Sequence, residues 1–211
     1  MGTRHSCQAK SADPLARDST SAIRNDGEIA QLILINGPPA SGKSTLARRY
    51  VDDHERAALV EFDELRMTLP NWEKDEATRL VARELAGAEV IEHLGAGRDV
   101  VTAQYFGRLG YIVLLEDMAR EHGATFIEVI LATSEALAID RFRARRREMI
   151  ELGVHHPERD IADADVEAFI VDAVERLTRL PTARPQSRIV PVAPEASKGE
   201  VYRRLLSVLD E

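Results

Sequence analysis

Apolar residues follow two rhythms along this chain. Short, largely apolar runs at residues 31–36, 57–62, 99–106, 125–131 and 188–192 have the length of strands. Between them apolar residues return every three or four positions, the spacing of a helix that buries one face. Val81, Leu85, Ala88, Ile91 and Leu94 mark one such stripe, expected to face the core and to end at Gly95 and Gly97. Further helices are expected over about 109–122 and from a Ser134 cap to about Leu152. Val166, Phe169, Ile170, Ala173, Val174 and Leu177 predict another, stopped before Pro181, and Val201, Leu205, Val208 and Leu209 a closing one. Residues 111–117 resemble a strand with an acidic end. They are the only material available to cross between two parallel strands, so they are expected to be helical. Strands alternating with helices predict an α/β fold, a five-stranded parallel sheet with helices on both faces, as one domain over residues 29–211.

The first strand runs into Gly37-Pro38-Pro39-Ala40-Ser41-Gly42-Lys43-Ser44, which fits G-x-x-x-x-G-K-[ST], and a helix follows from Thr45. Strand, loop and helix in this order form a phosphate cradle. Glycine lets the backbone wrap an anion closely, and the amides of the loop and of the helix's first turn point at it. Pro38 and Pro39 have no N–H, so the donors are expected at Ala40, Ser41, Gly42, Lys43, Ser44 and Thr45. Lys43 is expected to reach the outer phosphates and the Ser44 hydroxyl to bind Mg²⁺.

Composition changes little in this picture. The formal charge of −8 argues against a general nucleic-acid binder. Arginine nevertheless supplies 24 of the 28 basic residues, five of them within residues 141–147. A single cysteine, Cys7, offers neither a disulfide framework nor a thiolate metal site. No apolar run approaches the ~18–20 residues of a membrane span, no secretory segment opens the chain, and a cytoplasmic protein is expected. Residues 1–28 read as a disordered leader; residues 1–6 formally fit a myristoylation pattern that short sequences often match by chance.

The second strand run ends at Asp63-Glu64-Leu65-Arg66, and Arg141 and Arg145 lie four apart on one helix face. With the phosphate loop, these elements resemble the small P-loop kinases. The branch most resembled holds chloramphenicol phosphotransferase, zeta-type toxins and the kinase domains of polynucleotide kinases. The resemblance covers roughly residues 30–210, and only the loop is a highly specific motif. It implies ATP and Mg²⁺ as cofactors, and Asp63 as the carboxylate that takes the proton of an acceptor hydroxyl. A helix cap or turn carboxylate is the alternative for Asp63. Arg66 corresponds to an arginine touching substrate, or else is a salt-bridged surface residue. Arg141 and Arg145 match lid arginines that neutralise charge on the transferred group, against a solvated basic helix face. Many relatives carry an acid at the end of the third strand, where this chain has Thr102-Ala103-Gln104. Metal organisation would then rest on Ser44, Asp63, water and the phosphates. Gln104, Tyr105 and Phe106 are candidates for the acceptor pocket, with core packing the alternative for the aromatics. His155 and His156 read as lid surface.

The resemblance implies an ATP-dependent kinase acting on a hydroxyl of a small molecule: an antibiotic, nucleoside, sugar or sugar-nucleotide. A polynucleotide 5′-hydroxyl kinase and a nucleotide-dependent switch or ATPase module without a small-molecule acceptor are the alternatives. No Asn-Lys-x-Asp motif supports a GTPase.

Overall fold

The computed structural model describes residues 28–73 and 75–210. Five strands, β1 (Gln31–Asn36), β2 (Ala57–Leu59), β3 (Asp99–Gln104), β4 (Thr125–Ala132) and β5 (Arg188–Pro191), form one sheet in the order β2-β3-β1-β4-β5. Every pairing is parallel. Seven helices connect and flank the strands: α1 (Lys43–Asp53), α2 (Phe62–Met67), α3 (Thr78–Gly95), α4 (Leu109–Glu121), α5 (Glu135–Glu151), α6 (Val166–Ala183) and α7 (Lys198–Leu209). Cys7, the 1–6 pattern and the expected leader, apart from Glu28, lie outside the described residues. No helix among the described residues is long and apolar enough to cross a membrane.

The central strand shows why the sheet has three layers. Leu32, Ile33, Leu34 and Ile35 are all fully buried, and their side chains alternate between the two faces. Leu32 and Leu34 join a core with α3 and α4 and the end of α6. Ile33 and Ile35 join a second core with α1 and α7. Burying such a side chain is worth about 1.5–3 kcal/mol, so β1 anchors both layers. The helix expected over 111–117 is present as part of α4.

Three sequence expectations are corrected. The buried face of α3 is Thr78, Ala82, Ala86, Gly87, Val90 and Leu94, whereas Val81, Leu85 and Ile91 are exposed. Small residues face inward because α3 packs close to α4: a Cβ on Gly87 would stand 3.0 Å from the Met118 methyl. β2 is half its expected length, as the backbone leaves the sheet after Val60 and turns into α2. α6 runs past Pro181 to Ala183. Proline deletes one helical hydrogen bond there, but the next turn is held by the Arg184 amide on the Leu180 carbonyl and by the buried Arg184 side chain. That guanidinium donates to Glu128 at 2.6 Å and to Glu116 at 2.9 Å.

Asn36 closes β1 and joins three elements. Its Oδ1 accepts from the amides of Gly37 (2.9 Å) and Phe106 (3.0 Å), and its Nδ2 donates to the Phe106 carbonyl and, at 3.4 Å, to Glu128. One fully buried amide therefore sets the phosphate loop against the chain leaving β3.

Candidate active site

The candidate residues gather at the carboxyl ends of the strands, where open α/β sheets bind ligands. Between β1 and α1 the loop turns through Ala40 at φ 59° and Gly42 at φ 98°. Left-handed backbone suits Gly42, and contact favours Gly37, since a Cβ there would lie 2.8 Å from Ser41 Oγ and 3.1 Å from Leu131 Cβ. Gly37 shapes the loop without lining its cavity. Ala40, Ser41, Gly42, Lys43, Ser44 and Thr45 do line a cavity of about 580 Å³. The Ser41 amide differs from expectation: it closes a turn on the Pro38 carbonyl at 3.2 Å. Lys43 Nζ donates to the same carbonyl at 2.9 Å. Burial pulls Lys43 down to about 8; Glu158 and Asp63 oppose this shift and Arg145 adds to it.

Asp63 sits in the first turn of α2 rather than at a strand end. Val60 makes the last sheet-like bond, to the Val101 carbonyl, and Glu61 then accepts the first helical bond, from Leu65. Asp63 Oδ2 lies 3.4 Å from Gln104 Nε2. Both residues line the phosphate cavity and also a second cavity of about 890 Å³ beyond it. Asp63 thus stands at the boundary between a phosphate site and an adjoining chamber. Tyr105 lines both cavities too, while Phe106 is buried against Phe62 and Tyr111 and contributes to the wall of the second.

Arg141 and Arg145 of α5 both line the phosphate cavity. Their neighbours point elsewhere: Arg146 binds Asp163 and the Arg159 carbonyl, and Arg143 lies 3.8 Å from Glu167. The lid has its own small core of Ala138, Phe142, Val166 and Ile170, and Ala40 of the phosphate loop packs against it. Lid and loop are therefore in direct contact.

Arg66 is neither free nor on the surface. It is buried, with Nε on Thr78 Oγ1 at 3.1 Å and a terminal nitrogen on the Trp72 carbonyl at 2.9 Å. It ties down the connection from α2 to α3 and lines the second cavity.

His156 also departs from expectation. His155 is exposed beside Glu73 (3.0 Å), but the His156 side chain is only 12% exposed and lines both cavities. It caps the 3₁₀ turn Pro157–Asp160 by accepting from the Glu158 amide. Burial pushes its pKa below the ordinary value; Glu158 and Asp63 oppose the shift and Arg145 adds to it. Glu158, absent from the sequence reading, is 3.2 Å from Arg145, and its buried Oε2 accepts no hydrogen bond. No local pattern marks either residue, because their position depends on the lid folding back over the loop. Val192, Ala196 and Val201 form an equally unannounced apolar side of the phosphate cavity.

No cluster of three or more His, Cys, Asp or Glu side chains that could hold a metal occurs among the described residues. The donors that fit a phosphate-bound Mg²⁺ are the Ser44 hydroxyl and the Asp63 carboxylate, both facing the same cavity.

Solved structures share this architecture at low sequence identity. A gluconokinase from Sinorhizobium meliloti 1021 aligns with TM-score 0.58 and 17% identity over 85% of this chain and 91% of its own. A shikimate kinase from Bacteroides thetaiotaomicron gives 0.58 and 19% over 85% and 98%. A chain of the Pnkp1/Rnl/Hen1 RNA repair complex gives 0.56 and 18% over 73% of this chain and 46% of that one. No curated protein sequence matches the chain. A family model, AAA_33, described as an AAA domain, matches residues 32–165, from β1 through the lid. With more than half of its length matched, the chain belongs to this AAA domain family, and its fold is that of the P-loop kinases.

Proposed function

We propose that this protein is an ATP-dependent kinase that transfers the γ-phosphate to a hydroxyl of a small-molecule acceptor. The observation that carries the reading is the position of Asp63 between two cavities, one built by the phosphate loop and one adjoining it. ATP would place its phosphates against the free amides of the loop and its base toward Val192, Ala196 and Val201. Mg²⁺, held through Ser44 and the phosphates, would neutralise charge on the transferring group.

The acceptor would enter from the second cavity. Its oxygen bonds to the γ-phosphorus as the bridging bond to the β-phosphate breaks, ADP leaves, and the hydroxyl proton passes to Asp63. Gln104 orients that carboxylate. Lys43 from the loop and Arg141 and Arg145 from one face of α5 would neutralise the developing charge in the phosphate cavity.

The test is phosphoryl transfer from γ-labelled Mg-ATP to pooled nucleosides, aminoglycosides, amphenicols, sugars and 5′-hydroxyl oligonucleotides. Label is expected on a small alcohol and should fall by about 10²–10³ in Lys43→Ala. Near-normal turnover in a folded Lys43→Ala protein would overturn the reading.

A further inference from the structure

The second cavity is lined by five arginines from four separate segments: Arg66 of α2, Arg79 and Arg83 of α3, Arg108 before α4, and Arg176 of α6. A solvated basic helix would present its charges from a single element. Here the fold makes them converge on one hollow whose far end is Asp63.

The acidic residues on the same wall do not balance them. Asp63 is turned toward Gln104, Glu158 toward Arg145, and Asp172 toward Arg176 at 2.6 Å. The exposed Glu76 is shared between Arg79 at 3.1 Å and Arg66 at 3.9 Å, one carboxylate for two guanidinium groups. Arg83 and Arg108 have no carboxylate within ion-pair distance among the described residues. Arg83 instead lies over the Tyr111 ring, 5.1 Å from its centre. Arg66, which lines the cavity, is held below its ordinary pKa by burial and by Arg79, with Glu76, Asp63 and Asp75 opposing the shift. Arg66 is buried while Arg79, Arg83 and Arg108 are exposed around it; like charges brought together in one hollow attract an anion, and planar guanidinium groups match carboxylate and phosphate oxygens in pairs. Phe62, Phe106 and Tyr111 stack edge to face along the same wall and would flank the body of a ligand.

We propose that the acceptor is an anionic alcohol, a small hydroxy compound whose carboxylate or phosphate is bound by Arg66, Arg79, Arg83 and Arg108 while its hydroxyl meets Asp63. The inference rests on the kinase reading for the role of the hydroxyl, but the binding of the anion does not require transfer. A chamber of about 890 Å³ suits a metabolite-sized ligand, and the net charge of −8 disfavours a nucleic-acid polymer.

The experiment uses the full chain loaded with Mg²⁺ and a non-hydrolysable ATP analogue, so that the phosphate loop is filled. Matched sets are titrated by calorimetry: glycerol, glycerate and glycerol 3-phosphate; a hexose, its sugar acid and its sugar phosphate; a nucleoside and its 5′-monophosphate. At least one anionic member should bind tenfold or more tightly than its neutral counterpart, and the sets separate carboxylate from phosphate recognition. Arg83→Ala with Arg108→Ala should weaken that ligand by about ten- to hundredfold and leave the affinity for the nucleotide analogue and Tm unchanged. Arg83→Lys with Arg108→Lys should retain part of the preference. Neutral compounds binding as well as anionic ones, no anionic compound binding at millimolar concentration, an unchanged affinity in the alanine variant, or a 5′-hydroxyl oligonucleotide binding more tightly than every small anion would each overturn the proposal. Anion binding without any transfer from Mg-ATP would support it and sink the kinase reading instead.

Discussion

Lys43 offers the sharpest quantitative test, because the proposed transfer needs its charge where burial disfavours it. Its pKa near 8 leaves about nine tenths of the lysine charged at pH 7 and about one tenth at pH 9. The profile of kcat/KM for ATP reports free-enzyme groups, so it should fall about tenfold across that interval. The profile of kcat should bend at higher pH, since bound phosphates favour the ammonium. Lys43→Arg keeps its charge throughout; its kcat/KM, though lower, should lose the alkaline limb. The same shift makes a stability statement. The folded pKa lies below the unfolded value of about 10.5, so the unfolded chain binds more protons between about pH 8 and 10.5 and stability rises with pH through that window. Below pH 8 the full cost applies, on the order of 3 kcal/mol. Lys43→Met should therefore raise Tm at pH 7 while abolishing transfer, with the gain in Tm shrinking from about pH 8 and gone above about pH 10.5. A flat kcat/KM from pH 7 to 9.5 in the parent, or an identical limb in Lys43→Arg, would refute the reasoning.

Asp63→Asn should bind ATP within a few-fold of the parent by calorimetry, yet transfer about 10²–10⁴ more slowly; unchanged transfer would remove Asp63 as the base. Arg141→Ala and Arg145→Ala should lower kcat more than they raise KM for ATP, because lid charges engage as charge develops; kinetics matching the parent in both constants would make that helix face mere surface. Arg184→Met should destabilise the fold by about 3–5 kcal/mol in urea unfolding, since it strands the buried Glu128; adding Glu128→Gln should recover much of the loss.

Much of the architecture was legible locally. Strand-length apolar runs, the G-x-x-x-x-G-K-[ST] spacing and the need for a crossover at residues 111–117 are properties of adjacent residues, and they led to the parallel sheet, the phosphate loop and α4. Asp63, Arg141 and Arg145 are candidates on local patterns, a carboxylate just past a strand and two arginines four apart, and the fold brings all three to one cavity. What the sequence left open depended on distances between elements. The inner face of α3 was misjudged because hydrophobicity ranks Leu85 and Ile91 above Ala82 and Ala86, whereas around Gly87 the approach of Met118 from α4 leaves little room for a side chain. β2 ended early because Glu61 accepts a helical bond, a choice that the apolar run 57–62 does not reveal. Asn36 looked like the tail of a strand until Phe106, some 70 residues later, came within 3.0 Å of its side chain. His156 and Glu158 reached the phosphate cavity, and arginines from four segments reached the second one, only through the packing of α2, α3, α5 and α6 around the sheet. Periodicity records which face of an element avoids water; which faces then meet, and at what distance, is decided by side-chain volume and burial across the whole fold.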